Sequence, residues 1–262
     1  MNAICTEITV RVIARDGKFL GDDIGGASIT IRDAQTKELL AQGITSGGSG
    51  PNDAGGVMCV SLRRGEPIPD TGASAFTTFL PLDRPRRIEV TAYGPLGARQ
   101  SANTVSATQW IYPGKGITGG NGFLIELPGL IVQIVHPPTH YTPASLPSLT
   151  IQANVAMMCG CPIDYKTAAS KNLICPELKD DQQPWLPEEF EVAALITGQT
   201  GAPVLLPLAF RNIPPADTPG QFTGVWNAPP PGTYEVTVYA YQKATGNTGV
   251  DTATVIVPPP RP

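Results

Sequence analysis

Apolar and polar residues alternate along most of this chain with a period of two, the pattern of strands that bury one face. Ile8-Thr9-Val10-Arg11-Val12-Ile13 sets it, and Asp16-Gly17 supplies a turn behind it. Ala27 to Ile31, Glu38 to Ile44, Val57 to Leu62, Arg87 to Tyr93 and Phe123 to Val135 read as further strands. A glycine-rich stretch from Gly47 to Gly56 interrupts them. No long segment carries the stripe of an amphipathic helix. The predicted class is all-β, two antiparallel β-sandwich domains in tandem.

The segment His136-Pro137-Pro138-Thr139-His140-Tyr141-Thr142-Pro143, with Pro147 behind it, cannot sit inside a hydrogen-bonded ladder. It marks the expected boundary: a first sandwich over 1–135, a proline-rich linker over 136–148, a second sandwich over 149–257, and a proline-rich tail over 258–262. The second block echoes the first. Leu149-Thr150-Ile151-Gln152-Ala153 parallels Ile8 to Val12, and Tyr234-Glu235-Val236-Thr237-Val238-Tyr239 parallels Ile88 to Tyr93, at nearly the same offset.

Two stretches carry a family resemblance. Gly25-Gly26-Ala27-Ser28-Ile29-Thr30-Ile31-Arg32-Asp33, followed by Glu38 to Thr45, resembles the carboxypeptidase-regulatory or transthyretin-like β-sandwich, where a G-A-x-I/V strand and a T-x-x-x-G hairpin recur. Ala228 to Ala240 resembles the penultimate strand of bacterial immunoglobulin-like domains. That likeness implies that Tyr234 is a corner tyrosine whose hydroxyl bonds back to the backbone. Neither resemblance carries catalytic residues, and a fold does not fix a function.

Composition narrows the partners. Gly 28 and Pro 28 make up about a fifth of 262 residues, against roughly 12 per cent on average. Lys and Arg number 18 and Asp and Glu 22, a net charge of −4, and no basic cluster exceeds Arg84-Pro85-Arg86-Arg87. Nucleic acid is therefore excluded as the main partner, since phosphate neutralisation needs a basic stripe. No apolar run approaches the ~20 residues of a membrane-spanning helix. The first residues hold no charged and apolar leader. Low charge and an all-β pattern still lead us to expect a periplasmic or extracellular protein, with a cytoplasmic one as the alternative.

The densest chemistry is Met157-Met158-Cys159-Gly160-Cys161-Pro162, with Cys175 beyond it. Two readings stand. Cys175 bonds to Cys159 or Cys161 and staples the long segment between them. Alternatively, Met158, Cys159, Cys161 and Cys175 form a soft-ligand site for Cu(I). His136 and His140 do not complete that site, because about eight residues of strand separate them from the cysteines. Cys5 and Cys59 fall in separate expected strands and read as a cross-sheet disulfide or as two packed thiols.

The stretch Ala98 to Gly122 shows no strand pattern and carries Trp110 and Tyr112. It reads as a contact loop, or as one that folds back to plug its own sandwich. Trp185, set between prolines in an acidic stretch, poses the same choice. No serine elbow, phosphate-cradling glycine loop or zinc-binding helix is present in the sequence. The leading expectation is a non-catalytic structural or docking protein, or accessory subunit, of a larger exported or surface assembly, by self-assembly or through a protein partner. The alternatives are a copper-binding or metal-delivery protein and an auxiliary subunit of a redox enzyme.

Overall fold

The computed structural model describes residues 3–51, 56–142, 147–164, 175, 177–179, 183–211, 220–227 and 229–259. They form an all-β protein that divides into two units. The first comprises Met1–Pro128 with Met158–Gly160 and Ser170–Pro184; the second comprises Gly129–Met157, Cys161–Ala169 and Trp185–Pro262.

The first unit holds β1 (Ile4–Ala14), β2 (Ser28–Asp33), β3 (Leu39–Ile44), β4 (Phe76–Leu82), β5 (Arg86–Gly94), β6 (Asn103–Ile111) and β7 (Phe123–Leu127). One sheet runs β4-β1-β7 and the other β3-β2-β5-β6. Alternation builds the core directly: Ile8, Val10 and Val12 of β1 are fully buried, as are Ile29 and Ile31 of β2 and Ile88, Val90 and Ala92 of β5. Each large aliphatic side chain so buried contributes about 1.5–3 kcal/mol relative to exposure. β1 pairs antiparallel with β4 and parallel with β7.

The second unit holds β8 (Leu130–His136), β9 (Ser148–Met157), β10 (Phe190–Gly198), β11 (Val204–Pro207), β12 (Ala209–Phe210), β13 (Gln221–Asn227), β14 (Gly232–Gln242) and β15 (Asn247–Val257). Its sheets run β12-β13-β9-β8 and β11-β10-β14-β15. The second order matches β3-β2-β5-β6 position for position. β1 and β9 hold equivalent places, as do β5 and β14, so the two sequence echoes fall on corresponding strands. The units differ beside that first strand: β7 ends the first unit and runs parallel to β1, whereas β8 opens the second and runs antiparallel to β9.

The corner of the second sandwich is built as its sequence implied. The Tyr234 hydroxyl donates to the Pro230 carbonyl at 2.9 Å. Its ring meets Trp226 edge-on, with centroids 4.8 Å apart. At the next turn Gly246 takes φ 74°, a left-handed conformation that glycine adopts without strain.

Several expectations are corrected. Phe123 to Val135 is two strands broken at Pro128-Gly129, and Leu130 to His136 pairs with β9 along Leu130↔Met157 to His136↔Gln152. The division therefore falls at Pro128 and not over 136–148, and the proline-rich segment connects two paired strands of the second unit. Proline bars that segment from a ladder but equally suits a loop between neighbouring strands. Val57 to Leu62 is not a strand: Val57 and Ile68 pack on a small core of Ile13, Phe19 and Ala73 beneath the long β3–β4 connection. Ala98 to Gly122 is no bare loop, because it contains β6.

Candidate functional site: an aromatic edge and a cysteine tie

Trp110 lies near the end of β6, the edge strand of the first unit's four-stranded sheet, directly opposite Arg87 of β5. Strand pleating alternates the faces, so Thr104, Ser106, Thr108 and Trp110 share the outer one. Ser106 and Thr91 join their hydroxyls across the pair at 2.7 Å. Every residue from Asn103 to Trp110 is half-buried or exposed. Trp110 is 51% exposed and Tyr112 53%. The indole therefore does not plug its own sandwich.

Tyr112 is held on a firm base. Lys115 N–H donates to the Tyr112 carbonyl at 3.0 Å, closing a turn in which Gly114 takes φ 70°. Gly114 N–H then donates to Thr6 Oγ1 at 2.9 Å, and Ile117 exchanges backbone hydrogen bonds with Glu7 and Thr9 at 3.0 Å. The chain thus crosses from one sheet to the other while staying tied to β1. Trp185, the third expected contact residue, is only 1% exposed. Its large apolar ring is better buried than wetted, so it joins no surface site.

The cysteines pair in a way that no spacing argument reached. Cys175 bonds to Cys59 across a sequence separation of 116 residues. This replaces the expected Cys175 pairing with Cys159 or Cys161, and both readings of Cys5 and Cys59, as a disulfide or as two packed thiols. It also removes Cys175 from the soft-ligand set, since a disulfide sulfur is no thiolate. Cys5 is exposed and Cys159 buried. Met158 is fully buried, and the Cys161 carbonyl accepts from Met157 N–H at 2.8 Å. His136 stands opposite Gln152, five residues back along β9, or about 17 Å from that point. Its ring packs edge-on against Tyr141 at 5.2 Å. Among the described residues no group of three or more His, Cys, Asp or Glu side chains is placed to hold a metal ion.

The disulfide is one of several ties on the β3–β4 connection. Asn121 gives and accepts a hydrogen bond with the Ile68 backbone, both at 2.8 Å, as a neighbouring strand would. Arg11 pairs with Asp70 at 3.2 Å. On the other side of the disulfide, Gln183 binds the backbone of Cys175 and Leu178. Its Oε1 accepts from Cys175 N–H at 2.8 Å, and its Nε2 donates to the carbonyls of Cys175 at 3.0 Å and Leu178 at 2.9 Å.

One charged cluster stands apart. Arg86 reaches Glu38 at 2.7 Å and Asp33 at 3.6 Å. The backbone N–H groups of Thr36 and Gln35, with Arg86 adding its charge, hold the Asp33 carboxyl below the usual carboxylate range. The hydrogen bond to Glu38 raises Arg86 further above its ordinary value. The cluster fixes the β2–β3 turn.

The strand orders and the corner tyrosine define a class, a tandem of largely antiparallel β-sandwiches whose second member is immunoglobulin-like. No family model matches the chain, and no curated protein does. Solved structures similar to it include an engineered protein, at 19% identity and TM-score 0.30, covering 56% of this chain and 24% of that one. The fibronectin(III)-like modules of CbhA from Clostridium thermocellum are similar at 9% identity and TM-score 0.28, covering 98% of this chain and 94% of that one. The N-terminal four immunoglobulin domains of Dscam1 isoform 4.44 are similar at 8% identity and TM-score 0.21, covering 97% of this chain and 53% of that one.

Proposed function

We propose that this chain is a non-catalytic docking and structural module of a larger assembly outside the cytoplasm, and that it makes contact through the aromatic edge of its first sandwich. The observation that carries the reading is the exposure of Trp110 and Tyr112 on an edge strand and turn held firmly to the sheets. Trp and Tyr are the residues that anchor interfaces, and a rigid base spares the entropy of ordering them. The Cys59–Cys175 disulfide supports an oxidising compartment. The carboxypeptidase-regulatory or transthyretin-like subtype of the first sandwich is part of this proposal, supported by the G-A-S-I segment lying in and just before β2. The copper reading has lost the Cys175 thiolate and gains no support from the remaining sulfurs.

A photo-crosslinking residue placed at position 110 of the full chain in its native host tests the reading, with the same residue at Arg32 as control. A discrete adduct from position 110 and none from position 32 is the expected result. Equal labelling from both would refute the aromatic contact. Trp110→Ala should meanwhile keep its unfolding free energy within about 0.5 kcal/mol, as at other exposed positions.

A further inference from the structure

We infer that β6 is a strand-pairing edge, and that its partner is the β6 of a second copy of this chain, joined antiparallel about a two-fold axis at Ala107. The inference rests on the docking reading and names the occupant of that same edge.

The argument starts from what the other edge strands carry. An open edge offers unpaired N–H and C=O groups, and proteins blunt it with charge, proline, bulges, short length or a cover. β4 contains Pro81, and the β2–β3 pair is bulged at Ile31/Arg32. β7 is five residues long and carries Glu126; β11 is four residues long and ends in Pro207. β12 is two residues long. Side chains of β15 cover β8: Asn247 Oδ1 accepts from Gly129 N–H at 3.0 Å, and Asp251 Oδ2 from Ile134 N–H at 2.8 Å. β15 is covered in turn by Tyr141, whose N–H donates to Thr254 and whose carbonyl accepts from Ile256.

β6 carries only one such tie, at its first residue, where Asn103 Nδ2 donates to the Pro128 carbonyl at 3.2 Å. Asn103-Thr104-Val105-Ser106-Ala107-Thr108-Gln109-Trp110-Ile111 holds no charge and no proline, and it pairs with β5 over all nine residues without a register shift. Among the described residues no strand hydrogen-bonds to its outer side, and β7 of the other sheet approaches it without pairing.

The sequence of β6 also fits itself. With Ala107 on the axis, Ser106 of one copy falls opposite Thr108 of the other, and Thr104 opposite Trp110. Small hydroxyl side chains meet at the centre and each indole closes over a threonine at the ends; no like charges face one another. Closed two-fold pairing satisfies both edges at once. The contact is about 30 Å long and one strand deep, at the low end of stable interface sizes, so dimerisation in the micromolar range is expected.

The test is the mass of the full chain by light scattering across micromolar concentrations. The expected result is a shift from 27.6 kDa to twice that value. Ser106→Lys/Thr108→Lys places lysine against lysine twice and should weaken the dimer at least tenfold, while the unfolding midpoint measured at concentrations where the parent is a monomer stays unchanged. Mixing it with Ser106→Glu/Thr108→Glu should restore a dimer, now mixed, which a misfolded variant could not do. A single-chain mass throughout overturns the inference, as does a dimer that survives the lysine pair. A monomer that still gives a heterologous adduct from position 110 overturns self-pairing alone and leaves the docking reading standing.

Discussion

Tyr234 shows how much a single hydroxyl can organise. It ties the start of β14 to Pro230 four residues upstream, while the ring covers Gly198 and Gly232, where a Cβ would crowd it. Tyr234→Phe keeps the ring and its edge contact with Trp226 but removes the bond. A loss of about 1 kcal/mol is expected from urea unfolding, the net worth of one such hydrogen bond. Asp33 makes the complementary case in charge. Its carboxyl is held below the usual range in the folded state, so its contribution is present above the unfolded value of about 3.9 and is lost as pH falls through the folded one. Asp33→Asn should therefore be less stable than the parent at pH 7, and the gap should narrow below about pH 4. Urea midpoints at pH 7 and pH 3 check this; a gap that stays constant would mean that the charge is not what matters.

The elements divide by how they are buried. β1, β5, β9 and β14 sit inside their sheets with one face on a core, and burial imposes the alternation by which Ile8, Val90, Ile151 and Val236 could be read from sequence alone. β6 faces no such constraint. Its inner positions Ala107 and Gln109 are exposed like its outer ones, and small or polar side chains there, opposite Val90 and Ile88 of β5, leave the alternation too weak to read. The aromatic edge was accordingly legible as residues and illegible as a strand. The disulfide was hidden for another reason: Cys59 and Cys175 are brought together by the fold, at 116 residues' separation, where no local rule reaches. Cross-linking so long a loop stabilises by about 5 kcal/mol in the chain-entropy model. Cys175→Ser should lower the unfolding midpoint and speed amide exchange around Val57 to Ile68, while β14 amides keep their protection. Equal loss of protection in both regions would show that the tie serves the whole chain and not one connection.

On the scale of the whole molecule, the same unit is used twice with different endings. The first sandwich finishes with a parallel strand of its own, the second begins with an antiparallel one, and only Pro128-Gly129 separates the two. A fragment of residues 1–135 lacks Cys175 and carries β8 without its partner β9. It should unfold at lower urea than the corresponding transition in the intact chain, and Cys59 should alkylate freely in it. A fragment as stable as the parent would show that Met1–Pro128 needs nothing from later sequence.

That later sequence matters in time as well as in space. The first sandwich borrows Met158–Gly160 and Ser170–Pro184 from the middle of the second block. A ribosome adding about 5–20 residues each second needs some ten seconds to pass from Cys59 to Cys175. For most of that interval the one other cysteine yet made is Cys5, and Cys159 and Cys161 follow before Cys175 does. The order of synthesis therefore runs against the order of completion: the domain made first is the one that must wait, and whatever guards the Cys59 thiol until Cys175 is made guards this fold.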